Sequence, residues 1–287
     1  MNSSQLHWQP EQLRHVAAAP VTATLDLLGL LPSTRFPDAE VLNHLAQHHR
    51  PGDWQGPAFK DQGGYATSET RYYEQIIAQD KTIPTREQSW HDLFNACIWL
   101  QFPLTKRYLN TLHMQDITAH GVHPRTARRN HITHFDECGV VLAVPAGQVG
   151  QANNLLNLLA THQWAPAFAE NRQAWQNTLL PFVFGHANLE MMLQPFVGIT
   201  GKWLAVVVED DFAGLPPWQQ RQQLDQALLA RIQQLDNFKP ARLMPPLPLL
   251  GVPGWYPLQD AAFYANQDYF RPLPPGKGQT IQLPLGK

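Results

Sequence analysis

The apolar positions of this chain fall into helix-length stripes more often than into strand-length alternation. Val41, Leu42 and Leu45 give one apolar face to a segment over 37–49, and Pro37 suits its first turn. Leu224, Leu228, Ile232 and Leu235 recur at helical spacing over 217–235, on an otherwise Gln- and Arg-rich helix. Shorter stripes predict helices near 11–18, 68–78, 104–116, 151–162, 166–176 and 181–194. From Trp90 to Leu100 the chain is apolar almost all the way round, the pattern of a buried helix. His91, Asp92 and Asn95 interrupt it. His91 and Asn95 stand at i and i+4 and share a face. Ser89 is placed to cap this helix, with Asp92 at capping-box spacing. Two stretches, 132–144 and 202–209, read as strands. The Gly- and Pro-rich 51–64 reads as loop.

From Pro240 the pattern changes. Met244 to Trp255 carries too many prolines for regular structure, yet it is strongly apolar and needs a surface to cover. An extended strap running on to Tyr269, Phe270 and Arg271 is expected, with a loose tail over 273–287. The resulting fold class is α+β: a helix-rich single domain spanning 1–287, with a small mixed sheet and an extended proline-rich C-terminal strap. A boundary near 147–150 is disfavoured, because candidate polar residues lie on both sides of it.

Composition narrows the function classes. Hydrophobic residues make up 44% and charged residues only 15% of 287 residues, which suits a packed core rather than disorder. A net charge of −2 gives no strong global attraction to nucleic acid or to an acidic membrane. No apolar run approaches the ~20 residues of a membrane span, and no signal peptide is evident at the N-terminus. Cys97 and Cys138 lack CxxC or zinc-finger spacing and read as free thiols, suited to a reducing compartment. The expectation is a soluble cytoplasmic protein. Dinucleotide, Walker and GxSxG motifs are absent.

Four constellations carry candidate chemistry. The first is His91, Asp92 and Asn95; the doublet resembles the central His-Asp pair of metal-dependent phosphohydrolases. Against this stands a cap for Asp92 and a satisfied core histidine for His91. The second is Asp136 and Glu137 with Thr133, at the start of the apolar run Cys138-Gly-Val-Val-Leu142. These carboxylates suit a hard cation or proton transfer, or else a solvated hairpin tip. The third is His186 and Glu190, an i, i+4 pair among apolar neighbours, which would give two arms of a metal site or a His oriented by a Glu. The fourth is basic: 105–134 holds Lys106, Arg107, Arg125, Arg128 and Arg129 against Asp116 alone, and Arg86 precedes the buried helix. Such a patch suits phosphate, carboxylate or a nucleic-acid backbone.

Several long motifs are familiar: Ile83-Pro-Thr-Arg86, Ser89-Trp-His-Asp-Leu-Phe-Asn-Ala96, Phe102-Pro-Leu-Thr-Lys106 with Leu109-Asn110, Arg129-Asn-His-Ile-Thr-His-Phe-Asp-Glu-Cys-Gly139, Phe184-Gly-His-Ala187 and Leu249-Leu-Gly-Val-Pro-Gly-Trp255. Over roughly 65–272 the chain resembles a bacterial family catalogued as domain of unknown function 3025. That resemblance implies a grouping and brings no activity with it.

The residues themselves point to a metal-dependent hydrolase acting on a phosphorylated or otherwise anionic small molecule. His91, Asp92, His186 and Glu190 are its candidate ligands for a divalent metal. His91, Asn95, Asp136 and Glu137 are candidate catalytic groups; Arg86, Lys106, Arg125 and Arg129 would bind substrate. The alternative is a non-catalytic binding protein for an anionic ligand or RNA, in which the buried His, Asp and Asn form a structural network. Convergence of the regions around 91, 136 and 186 on one pocket separates the two.

Overall fold

The computed structural model describes residues 8–49, 54, 56–66, 68–276 and 279–286. The chain opens with three helices, α1 (Pro10–Val16), α2 (Ala19–Leu27) and α3 (Ala39–His49). A two-stranded parallel sheet follows, β1 (Ala58–Asp61) and β2 (Thr82–Thr85), joined through α4 (Tyr73–Asp80). The loop expected over 51–64 therefore contains a strand; its residues 51–53 and 55 lie outside the described ones.

Next come α5 (Trp90–Gln101), α6 (Pro103–His120) and α7 (Ala127–Cys138). The predicted buried helix is α5: Trp90, Leu93, Phe94 and every residue from Asn95 to Gln101 are buried. Ser89 caps it, its Oγ accepting from the Asp92 N–H at 3.3 Å. The main sheet is built from β3 (Gly139–Pro145), β4 (Leu180–Val183), β5 (Thr200–Val208) and β6 (Pro246–Pro248), in the order β4-β3-β5-β6. The β3–β5 pairing is parallel and the two outer pairings are antiparallel. All seven residues of β3 are buried, as expected of a central strand covered on both faces. Between β3 and β5 lie α8 (Val149–Ala160), α9 (Ala174–Asn177) and α10 (His186–Met191); α11 (Pro217–Gln234) and α12 (Ala261–Tyr264) complete the chain. This is a helix-rich α+β fold with a small mixed sheet.

Three local expectations are corrected. The strand predicted over 132–144 begins only at Gly139. Before it, α7 is capped by Thr126, whose Oγ1 accepts from the Arg129 N–H, and buries Ile132 and Phe135 three residues apart on one face. Asp136 and Glu137 thus sit in the last turn of a helix. The helix predicted over 181–194 is split: Leu180–Val183 forms edge strand β4, where Pro181 is tolerated, and helix starts only at His186. The C-terminal tail is anchored. The Gln282 side chain accepts from the Ala205 N–H and donates to the Trp203 and Leu243 carbonyls, and Leu285 is buried. One amide reaching three main-chain groups ties this segment down despite its apolar sparsity. Farther upstream, Leu247, Leu249, Leu250 and Val252 are fully buried, and that proline-rich segment, expected to lack regular structure, contributes strand β6.

Candidate metal centre

Three segments far apart in sequence meet at the N-terminal half of α5. His91 comes from its first turn, Glu137 from the last turn of α7 and His186 from the first residue of α10. Gly185 makes the junction possible. Its amide donates to the Gly139 carbonyl at 2.8 Å, and a Cβ there would lie 2.4 Å from the Gly139 nitrogen and 2.5 Å from the Cys138 Cα. Only a glycine lets the start of α10 rest directly on the α7–β3 corner. That contact sets His186 beside Glu137.

The ligating atoms converge. His91 Nε2 and His186 Nε2 are 3.1 Å apart, and the Glu137 Oε2 lies 3.4 Å from His186 Nε2 and 4.0 Å from His91 Nε2. Two ligands each held at about 2.1 Å from one ion stand at most about 4.2 Å apart, so all three separations are within reach of a single cation. His91, Glu137 and His186 could therefore hold a metal ion. On its far side, His91 Nδ1 meets the Glu190 Oε2 at 3.0 Å. A carboxylate only accepts, so Nδ1 carries the proton and a neutral His91 turns its Nε2 lone pair toward His186. This is the carboxylate–histidine arrangement that orients imidazole ligands in metal sites. Glu190, expected as a ligand, is placed instead to orient His91.

Electrostatics favour a cation. The carboxylates of Asp136, Glu137 and Glu190 face a single ammonium, Lys106, which pairs with Asp136 and donates to the Asn95 Oδ1 at 2.9 Å. Burial opposes the charged form of Asp136, but Lys106, His186 and His113 outweigh it and hold its carboxyl below the usual range. Burial, reinforced by neighbouring Asp136, pushes Glu137 up. Burial drives His186 down to about 3, so its imidazole is neutral at ordinary pH, the form that could ligate a metal. The hydrogen bond to Glu190 raises His91, so a proton and a cation compete for the same nitrogen.

The cluster lines a cavity of about 320 Å³, whose walls include Tyr73, Glu74, His113, Arg86 and Arg125. The structure brings together His91, Asn95, Asp136, Glu137 and His186, all named from sequence. It sets the others differently. Asp92 also lines this cavity, but its two oxygens are taken by the Arg86 guanidinium at 2.7 and 2.9 Å and one of them also by the Arg86 N–H. The resemblance of the His-Asp doublet to phosphohydrolases therefore does not extend to a shared ligand role. Arg86 is neutralised by that same pair. Arg129 is fully buried, donates to the Val122 and Gly121 carbonyls and lies under the Tyr72 ring. Lys106 is committed to Asp136. Arg125 remains: it contacts the Tyr72 and Thr133 hydroxyls, and among the described residues no carboxylate lies within ion-pair distance of it. Sequence reasoning missed Tyr73, Glu74 and His113. Tyr73 accepts from the Asn95 Nδ2 at 2.8 Å. His113 follows Lys106 by two helical turns, which puts both on one face of α6 and was the available signal.

No curated protein and no solved structure matches the chain. A family model described as "Protein of unknown function (DUF3025)" matches residues 58–274, which include every residue of the cluster, and the chain belongs to that family.

Proposed function

We propose that this protein is a metal-dependent hydrolase acting on a small anionic substrate. One observation carries the reading: two imidazole Nε2 atoms and a carboxylate oxygen from three separate segments lie within 4.0 Å of one another on the wall of a cavity. A divalent ion held by His91, His186 and Glu137 would lower the pKa of a bound water toward neutrality and polarise a substrate oxygen. Glu190 orients His91. Asp136, fixed by Lys106 and through it by Asn95, supplies the negative field that favours a cation. Arg125, lacking a carboxylate counter-ion, receives the anionic part of the substrate at the rim. A cavity near 320 Å³ suits a small metabolite rather than a polymer.

A non-catalytic reading has one observation in its favour. The chain Tyr73–Asn95–Lys106–Asp136 is hydrogen-bonded from end to end without any ligand, as a structural network would be. Metal analysis of purified protein, paired with thermal-shift screening of divalent cations, separates the two. The hydrolase reading expects about one ion per chain and stabilisation of about 2.7 kcal/mol at a hundredfold excess over Kd. It expects both to be lost in His186→Ala. Folded protein that neither carries nor responds to any divalent cation supports the structural network.

A further inference from the structure

A small chamber of about 30 Å³ adjoins the candidate metal pocket. It shares Tyr73, Glu74, His113 and Asp136 with that pocket. It also shares Ile77, Trp99 and Asn110 with a second, larger cleft of about 530 Å³ that opens beside Lys81 and Arg107. The chamber is thus the wall common to two cavities that reach the surface separately.

Its lining is polar and incomplete. Three buried side-chain atoms on it have no hydrogen-bond partner in the protein: Glu74 Oε2, Trp99 Nε1 and His113 Nδ1. Trp99 is 1% exposed and His113 5%. Trp99 Nε1 can only donate, an ionised Glu74 can only accept, and the His113 nitrogen does either according to its tautomer. Leaving such atoms unpaired costs about 1–3 kcal/mol each, and native proteins almost always satisfy them. The contact between the two side chains, Glu74 Oε1 to His113 Nε2 at 3.8 Å, is too long for a hydrogen bond and engages neither Oε2 nor Nδ1. The guanidinium of buried Arg129 also weighs electrostatically on both. Water donates and accepts at once and fits about 30 Å³, so it is the group suited to atoms of this kind.

We infer that the chamber is a water-binding station, held by Trp99, Glu74 and His113, on a solvent path joining the candidate metal pocket to the cleft beside Lys81 and Arg107. A water there accepts from the Trp99 N–H and donates to Glu74. The path gives the pocket a rear supply of water while a substrate fills its mouth. That role rests on the hydrolase reading; the water site itself does not.

The test uses deuterated, 15N-labelled, metal-free protein. The indole N–H signals of nine tryptophans are examined for rotating-frame cross-peaks to water, and the Trp99 signal is assigned as the one lost in Trp99→Phe. The expected result is a water cross-peak at Trp99. It persists in His91→Ala, which dismantles the metal cluster without touching the chamber, so a failed metal reading leaves it unchanged. The path is tested with Asn110→Leu, checked for native thermal unfolding, which should slow water exchange at the Trp99 indole at least tenfold by narrowing the side facing the second cleft. A Trp99 indole in folded wild-type protein with no water cross-peak overturns the site. Exchange unchanged in folded Asn110→Leu overturns the path.

Discussion

Two buried polar side chains, Asp225 and His186, are found on helices that enclose the same core, and they are treated in opposite ways. Asp225 on α11 is fully buried and accepts from the Leu104 and Thr105 amides at 2.9 Å each, at the first turn of α6. Thr105 Oγ1 also donates to its carbonyl. A negative charge meets the positive end of an 18-residue helix, and amides that would otherwise lack partners are satisfied. His186 on α10 is 3% exposed; its Nε2 meets the His91 imidazole at 3.1 Å and its Nδ1 makes no hydrogen bond, standing 4.0 Å from Asp136 Oδ2. Buried polarity alone does not mark a functional site. Three potential ligand atoms gathered within 4.0 Å of one another give a stronger reason to look for one.

That contrast can be broken or sharpened. The largest effect is expected at the satisfied end. Asp225→Ala should destabilise the protein by about 4 kcal/mol, since two buried amides lose their acceptor at roughly 1–3 kcal/mol each. Chemical denaturation checks this. A loss below ~1 kcal/mol would remove Asp225 as the structural half of the comparison.

Next comes pH. Burial lowers His113 to about 4 in the folded protein, against about 6.5 in the unfolded chain. Between those values the unfolded chain binds a proton that the folded one refuses. Stability is therefore fully present above pH 6.5 and falls by about 3 kcal/mol as pH drops toward 4. His186, driven to about 3 by burial, acts in the same direction. His91, raised chiefly by Glu190, opposes part of the loss. Urea midpoints of metal-free protein across this range should show the decline, and a shallower one in His113→Gln. A flat profile in the wild type would contradict the neutral, buried state of these imidazoles.

A smaller effect isolates orientation from ligation. Glu190→Gln should weaken divalent-metal binding 10- to 100-fold, the usual cost of losing a partner that fixes a ligating histidine. Calorimetric titration measures it, and an unchanged affinity would mean that Glu190 does not orient His91. The smallest effect is expected at Arg86, whose side chain is 57% exposed. Arg86→Ala should cost about 1 kcal/mol and leave metal affinity within twofold, because Asp92, only 11% exposed, loses the guanidinium but keeps the main-chain N–H of residue 86, and neither residue is a candidate ligand. A tenfold change in affinity would place the Arg86–Asp92 pair inside the site after all.

Much of the scaffold was legible in the sequence because periodicity reports burial. The stripes at 37–49 and 217–235 became α3 and α11, and the apolar run after Ser89 became capped α5. The errors share a cause. Around 132–144 and 181–194 an apolar strand adjoins a helix with at most two residues between them, so one window averages two periods. At those joints Phe135 and Cys138 belong to a helix while Gly139 begins a strand, and Val183 ends a strand three residues before helical His186. Those corners bring Glu137 and His186 together. The residue types of the cluster were readable, and their partners were not. Whether Asp92 would face His186 or Arg86, and whether Arg129 would reach solvent or the Val122 carbonyl, depends on rotation about α5 and α7, which tertiary packing decides.

Anomalous X-ray diffraction from crystals grown with zinc or manganese tests the central claim most directly. The account predicts a single strong peak about 2.0–2.2 Å from the Nε2 atoms of His91 and His186 and from a carboxylate oxygen of Glu137, absent in His186→Ala. Crystals with the fold described, in which the ion lies elsewhere or none is bound at saturating metal, would contradict it.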